Sequence, residues 1–379
     1  MASTVAVSEQ RVLDEFLGLV QIDSVSFEEG EIARVLEEKL RRMGFSVFND
    51  GTGPSTGNLI IRLAGTAPGA PALAFNAHMD TVEPGRGIKP VVQGGIIRSS
   101  GDTILGADCK APLASILEGV QAVLEAGVPR PDLELLFTYG EERAHIGARA
   151  LDISLMHSAV CFTLDASQPV GVIISSAPGY HSLKAAFRGR AAHAGVAPET
   201  GINALVAASR AIARMPLGRI DEETTGNIGL IRGGSGRNTV PALVELEGEA
   251  RSLDNASLAA QVEAMSRAME EEAARIGATL DLQVKTEYRA YRHEPETSVV
   301  QMARKALERL DVPVSLESTG GGSDANDLNE KGLPTVVLGS GMNDPHTARE
   351  SFAVADLVSL SRLVAELIAV GAELAPPVQ

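Results

Sequence analysis

Cysteine is nearly absent from this chain, with Cys109 and Cys161 the only two in 379 residues. Two thiols cannot supply a disulfide framework at this length, so a reducing compartment, the cytoplasm, is expected. Basic residues are also short, 33 Lys and Arg against 49 Asp and Glu, for a formal net charge of −16. Nucleic acid is held by clustered Lys and Arg that displace counterions, so it is not an expected ligand. Most of the acidity reads as a solubilising surface, from which a minority of functional carboxylates must be picked out. No segment approaches eighteen uninterrupted apolar residues, and the opening MASTVAVSEQ has neither a basic leader nor an apolar run. Neither membrane insertion nor secretion is expected.

What is present is ordinary globular material, 44% hydrophobic and 22% charged, and long enough for two or three domains. Helical spacing links Val12, Leu13, Phe16, Leu17 and Val20, then Ile32, Val35, Leu36, Leu40 and Met43, with Gly44 as the stop. Three short apolar runs of strand type follow, 72–80, 133–142 and 159–167, the first two separated by a helix-like stretch over 111–126. Strands apolar on both faces that alternate with helices predict an α/β domain with a mainly parallel mixed sheet flanked by helices. All three runs finish in acidic or imidazole residues, and open α/β sheets bind ligands beyond the carboxyl ends of their strands.

From about residue 179 the pattern becomes β-α-β-β-α-β, which fits an inserted ferredoxin-like α+β domain over 179–290. The strand PTVVLG lies beyond it and needs a sheet to join, so the catalytic domain is expected to be discontinuous, 1–178 plus 291–379. A last amphipathic helix covers roughly 354–371, and the closing APPVQ reads as a frayed tail.

His78 and Asp80 stand two apart at a strand end, where period-two geometry puts both on one side. Imidazole suits zinc, and a carboxylate commonly orients such a ligand, although a surface pair would look the same in isolation. Asp108, in the Gly-rich turn GADCKAP, is open to reading as a helix-capping aspartate. Glu141 and Glu142 are adjacent and can diverge, one toward a metal and the other toward a water. Asp165 ends the apolar run VCFTL, a costly place for a carboxylate unless it is paired, coordinated or exposed. His346, in NDPHTARES, gains weight only from the set.

The pieces AHMDTVEPG, LGADCKAPLA, TYGEERAHIGAR, TLDAS, GRAAHAGVAPETGINAL, GGSGRNTVPALVELEGEARSLD, GGGSDANDLNEKGLPTVVLGSG and PHTARE run in order along nearly the whole chain. Together they resemble the dinuclear zinc metallopeptidases, the family that includes peptidase T, carboxypeptidase G, succinyl-diaminopimelate desuccinylase and aminoacylase, with peptidase T the nearest likeness. The resemblance implies two divalent ions per chain, zinc first and cobalt or manganese as alternatives. His78 and Asp165 would hold one ion, Glu142 and His346 the other, and Asp108 both. It further implies Glu141 as general base, Asp80 as the residue orienting His78, and His193 as a histidine donated across a homodimer formed through the inserted lid domain. Asn238 and Arg251 would hold the substrate's carboxylate end, with a structural ion pair the competing reading for the arginine. Gly321 and Gly322, in a run with Gly320, would allow close approach of a bound peptide.

The implied activity is an exopeptidase for short peptides, a tripeptide aminopeptidase. An N-acyl amino acid amidohydrolase with the same chemistry is the alternative, and a catalytically silent binding protein the remoter one. The family commonly has a second aspartate after the bridging one, where this chain has Cys109. That thiol either shapes the turn or draws the site toward softer metals. The remaining histidines, His145, His157, His181 and His293, match no ligand pattern and are expected to be structural.

Overall fold

The structure, a computed structural model, describes residues 5–374. The expected tail APPVQ lies outside the described residues. The chain divides into two compact units, one of residues 1–175, 293–318 and 323–379, the other of 176–292 and 319–322.

In the first unit the amphipathic patterns become helices Glu9–Val20 and Gly30–Arg42. The first starts at Ser8, whose hydroxyl accepts the Arg11 N–H at 3.3 Å and satisfies one of the orphan donors of the first turn. The second gives way to Gly44, whose φ of 92° suits a residue without a Cβ. Each helix buries one face, Val12, Phe16, Leu19 and Val20 on the first and Ile32, Ala33, Leu36 and Leu40 on the second. A fully buried side chain of this size contributes about 1.5–3 kcal/mol, so these stripes fix which way each helix lies.

The sheet of this unit runs Ser46–Asn49, Leu59–Leu63, Leu133–Thr138, Leu73–His78, Val160–Ala166, Thr335–Gly339, Val172–Ala177. Its four central strands, from Leu133–Thr138 to Thr335–Gly339, are parallel, and antiparallel strands flank them. The segments Leu73–His78 and Leu133–Thr138 are buried at every position, which is why their sequences are mostly apolar without alternation, the buried Asn76 and Glu134 being hydrogen-bonded to Thr163 and Ser158. Thr335–Gly339 pairs in register with Val160–Ala166, Thr335 opposite Cys161, so the C-terminal segment completes the sheet begun by the N-terminal one. Helices Ala107–Ala126 and Val354–Glu373 pack together, and a Cβ at Gly119 would stand 2.6 Å from the Ser361 carbonyl oxygen, so a glycine is needed at that approach. A small three-stranded sheet, Pro90–Gln93, Ile96–Ser99 and Ser351–Ala353, anchors the chain just after His346.

The second unit has the order strand Gly179–Arg188, helix Ala204–Arg214, strands Thr224–Gly233 and Leu243–Ser252, helix Asn255–Ile276, strand Thr279–Tyr288. Its sheet is antiparallel throughout, with Gly179–Arg188 between Leu243–Ser252 and Thr279–Tyr288, which is ferredoxin-like connectivity. Alanines of the first helix and Leu258, Met265 and Met269 of the second fill the core against Leu183, Phe187 and Val244. Thr319–Gly322, part of the glycine run, groups with this unit.

Candidate metal centre

Two strand ends and three loops of the first unit converge on one point. Strand Leu73–His78 ends at His78, strand Val160–Ala166 presents Asp165 near its end, and Leu133–Thr138 runs on through Gly140 into the short turn Glu141–Arg143. Gly140 has φ 60°, which turns the chain sharply so that successive carboxylates diverge. Asp108 enters from the start of Ala107–Ala126 and His346 from the loop before Ser351–Ala353.

His78 Nε2 lies 3.0 Å from Asp108 Oδ1 and 3.7 Å from Asp165 Oδ1. His346 Nε2 lies 3.2 Å from Asp108 Oδ2 and 2.9 Å from Glu142 Oε1. The two oxygens of Asp108 thus serve different histidines, which is the arrangement a bridging carboxylate requires. Two donors each about 2.1 Å from one ion at a tetrahedral angle stand roughly 3.4 Å apart, and the observed spacings bracket that value. The buried Glu142 Oε1 makes no hydrogen bond although His346 Nε2 is so near; the two atoms approach closely without facing each other, as donors to a common ion do. The donor set of imidazoles and carboxylates therefore fits two divalent cations.

Charge points the same way. Burial, and then the charge of Asp108, pushes Asp165 up to about 7, and burial together with Asp165 holds Glu141 well above the usual carboxylate range. Asp108 and Glu142 lift His346 to about 10. Four carboxylates at close quarters with two imidazoles form a site short of positive charge, which cations supply.

Asp80 lies against both His78 and the Glu141–Glu142 turn. The ring's Nδ1 is 2.9 Å from the Asp80 main-chain oxygen and 3.4 Å from the carboxylate. The carboxylate itself accepts the N–H groups of Glu141 at 2.9 Å and Glu142 at 3.2 Å, and the Ser26 hydroxyl at 2.7 Å. Two further carboxylates hold the loops. Glu29 Oε1 accepts from Phe27 N and Gly140 N at 2.8 and 3.0 Å. Glu350 accepts the N–H groups of Leu105, Gly106 and Asp108 at 2.7, 2.8 and 3.1 Å. Ser26 and Glu29 carry no signal in the sequence, whereas Glu350 closes the segment PHTARE and is detectable there.

Cys109 is fully buried and its thiol donates to the Leu164 carbonyl at 3.5 Å; burial raises its pKa well above the ordinary value, so it is a neutral thiol beside the donors. His157 and His293 have local structural partners in Glu134 and Asn329. His181 shares a contact with Thr286. His145, by contrast, reaches Glu141.

The other expected residues lie in the second unit. His193 is exposed and forms an isolated antiparallel bridge with Thr239, and Ala194 N donates to Asn238 O at 2.9 Å, so His193 and Asn238 are neighbours there. Arg251 is already engaged: its Nε and Nη2 each stand 3.2 Å from an oxygen of Glu249, and its guanidinium stacks 4.5 Å from the Tyr180 ring centre. Gly321 donates its N–H to Thr319 Oγ1 at 3.3 Å. Gly322 packs so tightly that a Cβ would stand 2.4 Å from the Tyr288 ring.

A family model described as an M20 peptidase dimerisation domain matches residues 176–276, and one described as peptidase family M28 matches residues 58–189. An uncharacterized protein, YqjE of Bacillus subtilis, is 43% identical over 366 residues, covering 96% of this chain and 98% of its own. Peptidase T of Shouchella clausii is 25% identical, covering 94% of this chain and 99% of its own. Among solved structures, aminopeptidase PepT from Bacillus cereus superposes with a TM-score of 0.93 at 42% identity, over 97% of this chain and 99% of that one. A tripeptidase from Staphylococcus aureus does so with 0.94 at 37% identity and the same coverage.

Proposed function

The chain belongs to the M20 metallopeptidases, in their peptidase T-like branch, and on that premise we propose that it releases the N-terminal residue of tripeptides with two divalent ions, zinc before cobalt or manganese. The observation that carries the reading is Asp108, whose two oxygens divide between His78 and His346 with Glu141 alongside.

In this reading His78 and Asp165 would hold one ion, Glu142 and His346 the second, and Asp108 would serve both. When bound, the ions acidify the attacking water and polarise the scissile carbonyl. Glu141 takes the water's proton on its carboxylate and delivers it to the leaving amine, so that the carboxylate is regenerated at each turnover. Asp80 keeps that carboxylate on station through the Glu141 and Glu142 N–H groups. Nitrogen and oxygen donors without thiolate favour zinc, and they accept cobalt or manganese as well.

The domain split 1–178, 179–290 and 291–379 is proposed with the insert as lid and dimerisation module. His193 would then act on the substrate carbonyl of a partner copy, beside Asn238, and Arg251 would meet the substrate carboxylate only by exchanging it for Glu249. Native mass measurement at micromolar concentration should give a dimer, and a fully active monomer would remove the role of His193. We place the enzyme in the cytoplasm on its two free, buried cysteines. No helix among the described residues is long and apolar enough to cross a membrane.

The test is a panel of tripeptides, dipeptides, N-blocked tripeptides and N-acyl amino acids assayed with zinc, alongside metal analysis. Free tripeptides should be cleaved fastest, with two ions per chain. Faster turnover of N-acyl amino acids would move the substrate to the amidohydrolase class. Less than one ion per chain with no hydrolysis anywhere would leave a binding protein.

A further inference from the structure

His145 is a buried histidine set between two carboxylates. Its Nδ1 lies 3.0 Å from Asp327 Oδ2 and its Nε2 3.4 Å from Glu141 Oε1. All three side chains are nearly closed off from solvent, with His145 and Asp327 both 4% exposed and Glu141 8%. Asp327 is itself met by Arg149, whose Nε stands 3.5 Å from the other carboxylate oxygen. The result is a chain of polar groups, Arg149 to Asp327 to His145 to Glu141, that approaches the general base from the side of the helix Asp324–Glu330.

The backbone makes the choice of residue informative. Ala144 and His145 both adopt left-handed conformations, φ 66° and 55°, and the His145 N–H closes the turn onto the Glu141 carbonyl at 2.8 Å. A residue without a Cβ would take that conformation with less strain. The turn carries an imidazole instead, and that conformation is what brings the ring back over the side chain four residues earlier.

We propose that His145, oriented by Asp327, is a positioning residue that holds the Glu141 side chain in place. The inference rests on the reading of Glu141 as general base. An imidazole held by Asp327 through one nitrogen presents the other to Glu141. The ring stands between Asp327 and Glu141, so a side chain fixed on one nitrogen fixes the place of the other. A partner of this kind costs a reaction about 10- to 100-fold when removed, the range seen for groups that support a site's direct participants.

The experiment compares His145→Leu, His145→Gln, Asp327→Asn and Glu141→Gln as full-length, zinc-loaded proteins on a tripeptide. His145→Leu should lose about 10- to 100-fold in kcat with KM and metal content unchanged. His145→Gln, whose amide nitrogen falls near the place of Nε2, should recover most of that loss. Asp327→Asn should show the same split between kcat and KM, and it decides the matter if the His145 variants fail to fold. Parent kcat in both His145→Leu and Asp327→Asn, or equal losses for leucine and glutamine, would overturn the proposal. Parent turnover in Glu141→Gln would instead remove the general-base reading beneath it, and loss there with none at His145 removes the positioning role alone.

Discussion

Glu141→Gln is expected to bind both ions as the parent chain does and to lose about 100- to 10,000-fold in kcat, the range that a positioned proton acceptor supplies. The substitution keeps shape and volume. It leaves untouched the Glu141 N–H that donates to Asp80 at 2.9 Å, so the turn that places the side chain survives. It removes only the capacity to take a proton. Glu141 stands close to His78 and Glu142 but takes no part in the His78–Asp108 and Asp108–His346 pairs, and glutamine keeps a side-chain oxygen there, so metal content should hold. Glu142→Gln should fail differently, because its Oε1 stands 2.9 Å from His346 Nε2, as a donor to the same ion would. That variant should retain one ion under dilution and regain part of its activity in excess zinc. The two are separated by measuring kcat and KM beside metal content on the same preparations. Near-parent turnover in a fully loaded Glu141→Gln would end the assignment of the base.

Part of this site is legible in the amino-acid sequence alone. His78 and Asp165 lie at or near the ends of apolar strands, and the cost of a polar group there makes it conspicuous. Parallel-sheet strands buried on both faces also announce themselves as unbroken apolar runs, so the pattern places Leu73–His78 and Leu133–Thr138 within a few residues. The edge strand Ser46–Asn49 escapes it, because only one of its four residues is buried and nothing in its pattern stands out. Likewise Ser26 and Glu29 act through main-chain or side-chain partners far along the chain, a pairing created only by folding. His145 reads as structural in the sequence for the same reason: its role depends on Asp327, which lies 182 residues away. Arg251 shows the reverse case, a residue type suited to carboxylates that the fold has already paired with Glu249.

Glu350 is the residue where that long-range logic has its largest consequence for the fold. Its Oε2 accepts the N–H groups of Leu105 and Gly106, 245 and 244 residues away in sequence, and its Oε1 accepts that of Asp108. One buried carboxylate, 1% exposed, therefore ties the segment that carries His346 to the turn that carries Asp108. A glutamine at this position can keep two of the three bonds on its amide oxygen, but its NH2 group must then face a backbone N–H with no acceptor between them. Hydrogen bonds to charged groups contribute roughly 1.5–3 kcal/mol each, so Glu350→Gln should lower stability by about 2–4 kcal/mol. The Asp108 N–H is one of the three donors, so the damage should reach the metal centre too. Urea unfolding of the metal-free protein should show a lower midpoint at unchanged slope, and zinc titration a weaker affinity. Added zinc should restore part of the stability, because an ion that binds only the folded state stabilises it by an amount that rises with the logarithm of its concentration above the dissociation constant. A variant with the parent midpoint and the parent zinc affinity would show that Glu350 holds neither loop, and the ordering of Asp108 would then have to come from the turn's own backbone.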